Sequence, residues 1–247
     1  MDASVAIVLA AGKGTRMQSA LPKVLHPVCG RPMIEFVLDA LLQVPIAKII
    51  VVVGYRSDLV RETLAPYRDL HFVEQTEQLG TGHAVMVCRD ELGPHAGPVL
   101  VVTGDSPLIQ VDSVRKLLDA YSRQRPAAVL GTLLVDQPTG LGRIVRDEQN
   151  QFQAIVEERD ATPEQKAIRE VNMSTYVFAG HELLHALGML RTDNRQREYY
   201  LTDCPGILRR EGKQVLALPV LSPCEGLSIN TLAELEVVEA ELRRQGF

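Results

Sequence analysis

The chain has 247 residues, 46% of them hydrophobic and 23% charged, with a formal net charge of −5. A chain of that length and composition can bury a sizeable core in one α/β domain or in one domain with a subordinate lobe. The acidic balance argues against a nucleic-acid partner, which normally meets a basic excess.

In chain order, the apolar run over 5–10 predicts a buried strand, and it breaks into Ala11-Gly12-Lys13-Gly14-Thr15-Arg16. Glycines let a backbone approach an anion and aim several N–H groups at it, while Lys13, Arg16 and Lys23 can neutralise its charge. This loop reads as a polyphosphate binder, with Lys13 equally readable as a solvated cation. It is not a Walker A loop, because Gly12 and Gly14 are two apart and Thr15 follows the second. It is not the dinucleotide fingerprint either, because Met17 stands where a third glycine belongs and the next strand runs into Gly54-Tyr55 rather than an acid. Helix is expected over 33–42 from Pro32, strand over 48–53, helix over 57–64 and strand over 99–103. A helix over 114–123 follows, capped by Asp112 or Ser113. Apolar strands alternating with helices describe a parallel sheet covered on both faces, whose ligands bind beyond the strands' carboxyl ends. Residues 12–16 and Gly104-Asp105 both lie there.

The second half is β-rich over 127–135, 142–145, 152–157 and 171–178, which predicts an antiparallel extension or lid. Helices are expected over 181–190, 203–211 and 232–244, the last entered through a Thr231/Glu234 capping box. There is no run of about eighteen apolar residues and no basic segment leading into an apolar core, so neither a membrane span nor a signal peptide is expected. Cys29, Cys88, Cys204 and Cys224 have no C-x-x-C spacing and read as reduced thiols of a cytoplasmic protein.

The segment L-A-A-G-x-G-T-R-M followed by Leu21-Pro22-Lys23 resembles the signature of the sugar-nucleotide nucleotidyltransferases. With Gln75-Thr76-Glu77-Gln78-Leu79-Gly80-Thr81-Gly82-His83-Ala84, Gly104-Asp105-Ser106-Pro107-Leu108, Gly140-Leu141-Gly142-Arg143, Glu170-Val171-Asn172 and Glu198-Tyr199-Tyr200-Leu201-Thr202, the resemblance narrows. The set is similar to the N-terminal uridyltransferase (pyrophosphorylase) domain of the bacterial bifunctional N-acetylglucosamine-1-phosphate uridyltransferase/glucosamine-1-phosphate acetyltransferase. The resemblance implies a Rossmann-like, mostly parallel mixed sheet flanked by helices, of nucleotide-diphospho-sugar transferase type, with a small β-rich sugar-binding lobe. It implies one domain over 1–247, with a nucleotide half at about 1–125, a sugar half at about 126–230 and a C-terminal helix over 231–247.

The implied reaction is Mg2+-dependent transfer from UTP to N-acetylglucosamine 1-phosphate, giving UDP-N-acetylglucosamine and pyrophosphate. Such a transfer needs positioning and charge neutralisation rather than a covalent intermediate. By resemblance Arg16 and Lys23 are catalytic. Leu9, Ala10, Ala11, Gly12, Gly14, Thr15, Gln75, Gln78, Gly80 and Thr81 bind the nucleotide, Gln75 reading uracil. Gly140, Glu157, Asn172, Tyr200 and Thr202 bind the sugar phosphate, and Asp105 and Asn230 hold the metal. Asp105 is also readable as a turn cap, Asn230 as a helix cap, and His83 as a packing and hydrogen-bonding residue. Three positions depart from the family pattern: Thr103 before Gly104-Asp105, Asn172-Met173-Ser174 where N-T-G or N-S-G is usual, and Arg197 where a glycine is usual. They motivate one alternative, a nucleotidyltransferase for another nucleotide or sugar phosphate; a second alternative, of a different class, is a non-catalytic nucleotide-sugar sensor. The 17 residues after Asn230 contain no hexapeptide repeat, so no β-helix acetyltransferase domain is expected, and without that trimerising element the expectation is a monomer or weak dimer.

Overall fold

The computed structural model describes residues 3–17, 19–227 and 229–247; Ser228, beside the Ile229-Asn230 stretch, lies outside them. The strands are β1 (Ser4–Leu9), β2 (Pro27–Val28), β3 (Arg31–Pro32), β4 (Ile46–Val53), β5 (Leu70–Glu74), β6 (Pro98–Thr103), β7 (Ala128–Leu134), β8 (Gly142–Arg146), β9 (Phe152–Val156), β10 (Glu170–Ala179) and β11 (Val215–Leu218). The helices are α1 (Met33–Leu41), α2 (Ser57–Thr63), α3 (Thr81–Met86), α4 (Arg89–Leu92), α5 (Val111–Gln124), α6 (Pro163–Lys166), α7 (Gly180–Gly188), α8 (Asp203–Arg210) and α9 (Leu232–Arg244).

One sheet runs in the order β11-β7-β10-β6-β1-β4-β5, with β8 attached to β10 and β9 to β8. The segment β6-β1-β4-β5 is parallel, whereas β10 is antiparallel to both β6 and β7. The period-two side-chain rule distributes the apolar strands to two faces. Val5 and Ile7, Ile50 and Val52, Val99 and Val101 join one core cluster; Ala6 and Val8, Val51 and Val53, Leu100 and Val102 join the other. The first face is covered by α3, α7 and α8 through Val85, Leu183, Leu187, Ile207 and Leu208. The second is covered by α1, α2 and α5 through Val37, Leu38, Val60, Val114, Leu117 and Tyr121, the last three at helical spacing. Burying each such side chain contributes roughly 1.5–3 kcal/mol.

Four local features differ from the sequence reading. Helix α5 starts at Val111 with Gln110 as its N-cap, not at 114 under Asp112 or Ser113. The Ser113 hydroxyl is buried and donates to Glu225 Oε2 at 2.6 Å, so it pins a distant turn instead of capping its own helix. Helix α3, which starts at Thr81, is not among the helices expected from the sequence. Strands β5 and β11 were not anticipated; β5 is a half-exposed edge strand with an interrupted apolar pattern, and β11, though apolar throughout, is only four residues long. The β-rich segments β8 and β9 continue the main sheet as an antiparallel extension.

Helix α9 occupies the range expected of it. Thr231 Oγ1 accepts the Glu234 N–H at 3.3 Å, and the return arm runs from the Asn230 N–H to Glu234 Oε2 at 2.8 Å. Val238 and Leu242 bury against Met17, Met33, Phe36, Leu108 and Ile229. That packing brings the N-terminus of α9 beside the loop that follows β1.

Candidate active site

Strands β1 and β6 are parallel neighbours with Leu9 opposite Thr103, and β1 also pairs with β4. The sheet order therefore turns at β1, where ligands of open α/β sheets bind. Leu9 C=O accepts the Gly104 N–H at 2.9 Å, and the Ala10 N–H donates to Val52 C=O at 2.8 Å. The backbone of residues 9 and 10 is thereby held by the sheet, and Ala10 and Ala11 are buried. Beyond them Gly12 faces open space.

Thr15–Met17 then forms a 3-10 turn with Met17 as its buried anchor. Pro22, at φ −50°, leads into a second such turn, Lys23–Leu25. Gly14 has φ +69°, and a Cβ there would lie 2.7 Å from Lys23 Cβ. Glycine at 14 is therefore what lets Lys23 pass close to the phosphate loop.

Four expected residues from separate loops meet here. Lys23 Nζ donates to Asp105 Oδ2 at 2.5 Å and to Asn230 Oδ1 at 3.0 Å, and Arg16 Nη2 donates to the same Asn230 oxygen at 2.7 Å. The Lys23–Asp105 pair is partly buried, at 15% and 28% side-chain exposure. Among the described residues no group of three or more His, Cys, Asp or Glu could hold a metal ion. A two-oxygen donor set of Asp105 and Asn230 suits a hard cation such as Mg2+, which retains waters and substrate phosphates in the rest of its shell. Lys13 stands apart, its Nζ 5.2 Å above the Tyr55 ring.

A cavity of about 280 Å³ opens beside this cluster, lined by Leu9, Ala11, Gly12, Gln75, Gln78, Gly80, Thr81 and Asp105, together with Thr103 and Glu198. Ala10, Gly14 and Thr15 are not on its wall. Gln75 is buried, and its Nε2 donates to Gly80 C=O at 3.0 Å and lies 3.1 Å from His83 Nδ1. His83 therefore orients the glutamine amide, a hydrogen-bonding role. Thr103 Oγ1 and Ser106 Oγ pair at 2.7 Å across the Asp105 turn.

The sugar-side residues divide. Glu157 and Tyr200 line a larger cavity of about 630 Å³ with Asp160, Asp203, Arg191 and Arg210. Glu157 Oε1 accepts the Thr202 hydroxyl at 3.0 Å. Burial raises the Glu157 carboxyl above its usual pKa, and neighbouring Asp203 and Asp160 push it the same way. Burial also pushes the Tyr200 phenol up to about 12, and its buried hydroxyl has no hydrogen-bond partner. Thr202 and Asn172 are buried and off the cavity wall; Asn172 Oδ1 accepts from the Tyr176 hydroxyl at 2.9 Å and the Ser174 N–H at 3.2 Å. Gly140 is also off that wall, and its N–H donates to Glu158 Oε2 at 3.2 Å.

Sequence reasoning left three features without a role. Glu198, though quoted within its motif, reaches the cavity beside Asp105 because the chain at 198–201 lies along residues 79–82. The Tyr199 N–H donates to Leu79 C=O at 2.8 Å, the Gly82 N–H to Tyr199 C=O at 2.7 Å and the Leu201 N–H to Thr81 Oγ1 at 3.1 Å. Gly80, at φ +106°, would place a Cβ 2.6 Å from Tyr199 O, so glycine is required for this approach. The second is the almost fully buried Arg143, whose Nη2 donates to Glu158 Oε2 at 2.6 Å and so fixes the carboxylate that holds Gly140. The third is backbone conformation: Ser174 and Arg197 have φ +54° and +55°, at the positions where glycine is usual in the resembling family.

Residues 6–200 match the MobA-like NTP transferase domain. Similar curated proteins include the Bifunctional protein GlmU of Lactococcus lactis subsp. cremoris (strain MG1363), 45% identical over 240 residues that cover 97% of this chain and 52% of that protein. The Bifunctional protein GlmU of Shouchella clausii (strain KSM-K16) is 41% identical over 245 residues, covering 99% and 54%. The chain thus spans about half the length of the curated relatives it matches. A crystal structure of UDP-glucose pyrophosphorylase complexed with UDP-glucose shares the fold at a TM-score of 0.79 and 14% identity, over 99% of this chain and 100% of that one. With the phosphate loop, the sheet order and the domain match in agreement, the chain belongs to the MobA-like NTP transferase domain family.

Proposed function

We propose that this chain transfers UMP from UTP to N-acetylglucosamine 1-phosphate with Mg2+, releasing pyrophosphate and forming UDP-N-acetylglucosamine. The observation that carries the reading is the meeting of Arg16, Lys23, Asp105 and Asn230 beside a cavity lined by Gln75, Gly80 and Thr81. A phosphate oxygen of the sugar phosphate attacks the α-phosphorus, and the bond from that phosphorus to the β-bridging oxygen breaks. Arg16 and Lys23 neutralise the anions that converge and leave, and a planar guanidinium can grip two phosphate oxygens at once. Asp105 and Asn230 would hold Mg2+, which when bound offsets phosphate charge as a Lewis acid. Gln75, whose amide N–H groups are taken by Gly80 C=O and His83, would read the uracil edge through its Oε1, an acceptor for the base N–H.

On the sugar side, the orphaned Tyr200 hydroxyl and the Glu157 carboxyl supply polar groups that a sugar can satisfy. The first half of the chain would serve the nucleotide and the second the sugar, with residues 79–82 and 198–201 joining them. No helix among the described residues is long and apolar enough to cross a membrane. The four cysteines are free thiols, two of them buried, and the proposed setting is cytoplasmic.

The test is pyrophosphate release with Mg2+ across four ribonucleoside triphosphates, dTTP and several sugar 1-phosphates. Selective turnover of UTP with N-acetylglucosamine 1-phosphate is expected. Preference for another pair would identify Thr103, Ser174 and Arg197 as marks of a different specificity. No turnover despite nucleotide binding would contradict the enzymatic reading.

A further inference from the structure

The two oxygens read as metal ligands already share a cation. Lys23 Nζ lies 2.5 Å from Asp105 Oδ2 and 3.0 Å from Asn230 Oδ1, and the latter oxygen also takes Arg16 Nη2 at 2.7 Å. These cationic groups are the ones expected to hold phosphate, and one ammonium cannot sit between two metal-binding oxygens and on a phosphate at once. A divalent ion placed on those oxygens would meet the ammonium at contact distance, where like charges in a partly buried site repel strongly. Lys23 is built to move: its stem is a flexible four-carbon chain, and it runs past Gly14, which presents no side chain to obstruct it.

We propose that the Lys23 ammonium is a built-in occupant of the divalent-cation position, displaced to phosphate when metal and nucleotide enter together. The inference rests on the reading of Asp105 and Asn230 as the metal ligands. In the resting enzyme the pair is internally neutralised, so bare metal binds weakly. A triphosphate that draws Lys23 and Arg16 onto its own oxygens uncovers Asp105 and Asn230 for the metal. Linkage makes the effect reciprocal, so metal should tighten nucleotide binding by the same factor. Binding order is thereby biased towards a metal–nucleotide pair.

The test is Mn2+ affinity without nucleotide, followed by the paramagnetic resonance signal of the free ion, for the wild-type chain and for Lys23→Ala, each with and without Asp105→Asn. Removing the ammonium is expected to tighten Mn2+ binding about tenfold or more, and Asp105→Asn to weaken it strongly in both backgrounds. Lys23→Ala binding Mn2+ no better than wild type, while Asp105→Asn still weakens binding, overturns the displacement and leaves the metal assignment standing. Indifference of both chains to Asp105→Asn overturns the metal assignment and the displacement with it. A second measurement needs no Lys23 variant. In wild-type chain labelled with 15N-lysine, the Lys23 ammonium resonance should shift on titration with Mg2+ and stay fixed in Asp105→Asn; a resonance unmoved by saturating Mg2+ overturns the proposal.

Discussion

Glu157, proposed to bind the sugar, is a side chain whose burial costs stability. Its carboxyl is raised by burial, with Asp203 and Asp160 adding to the shift against the Thr202 hydrogen bond. Above the raised pKa the folded chain carries a carboxylate it disfavours, while the unfolded chain ionises freely. Below the unfolded value, about 4.5, both states are neutral and no penalty exists. The contribution to stability therefore falls as pH rises from the unfolded pKa through the folded one. Glu157→Gln keeps an acceptor for Thr202 and should raise the thermal midpoint more in alkaline buffer than near pH 4, while weakening sugar-phosphate binding. An equal change at both values would remove the buried-charge argument. Arg197 stores a different cost. An exposed arginine at φ +55° occupies backbone that glycine adopts freely, so Arg197→Gly should stabilise the chain by about 0.5–1 kcal/mol in urea unfolding. At this scale the sequence named the chemistry-bearing residues, but not which of them touch. Lys23 and Asp105 are 82 positions apart, and only the fold decides that they pair. Nor does a serine or arginine announce a left-handed backbone when glycine would be the usual signal.

The elements were legible in proportion to their burial. Strands β1, β4 and β6 are apolar on both faces and stood out as continuous runs. Strand β5 shows little such pattern because it lies at the sheet edge, half exposed. The start of α5 was misplaced because Asp112 and Ser113 are good caps in isolation, whereas the buried Glu225 claims the Ser113 hydroxyl and also accepts the Gln110 N–H at 3.1 Å. Helix α9 has the clearest structural duty. Its packing through Val238 and Leu242 seats the Asn230 turn against the phosphate loop. Leu242→Ala should cost roughly 2–5 kcal/mol in urea unfolding, the range for cavity-forming leucine deletions. A loss under 1 kcal/mol would mean that α9 is not anchored by this contact.

The molecule as a whole brings the two proposed substrate-binding halves together on a sheet whose order turns at β1. The motifs legible as a resemblance to uridyltransferase domains agree with relatives at 41% and 45% identity and with the shared fold of a sugar-nucleotide enzyme. The clasp between residues 79–82 and 198–201 was not legible. It is made by main-chain groups and Thr81, which leave no pattern in composition or periodicity. Nor was the support of Gly140 by the buried Arg143–Glu158 pair, since a charged residue in the sequence reads as surface until its burial is seen. The clasp ties the two halves of the chain together, and the Arg143–Glu158 pair braces the Gly140 turn within the second half.

The most direct measurement is single-turnover uridyl transfer at saturating UTP, N-acetylglucosamine 1-phosphate and Mg2+ for the wild-type chain and Asp105→Asn, with thermal unfolding of both. The expected result is a rate lowered by about a hundredfold or more, in line with loss of a group that stabilises charge at the reacting centre, with an unfolding midpoint close to wild type. A rate within a few-fold of wild type in the folded variant would contradict the account, because Asp105 would then be a turn cap and not part of the machinery.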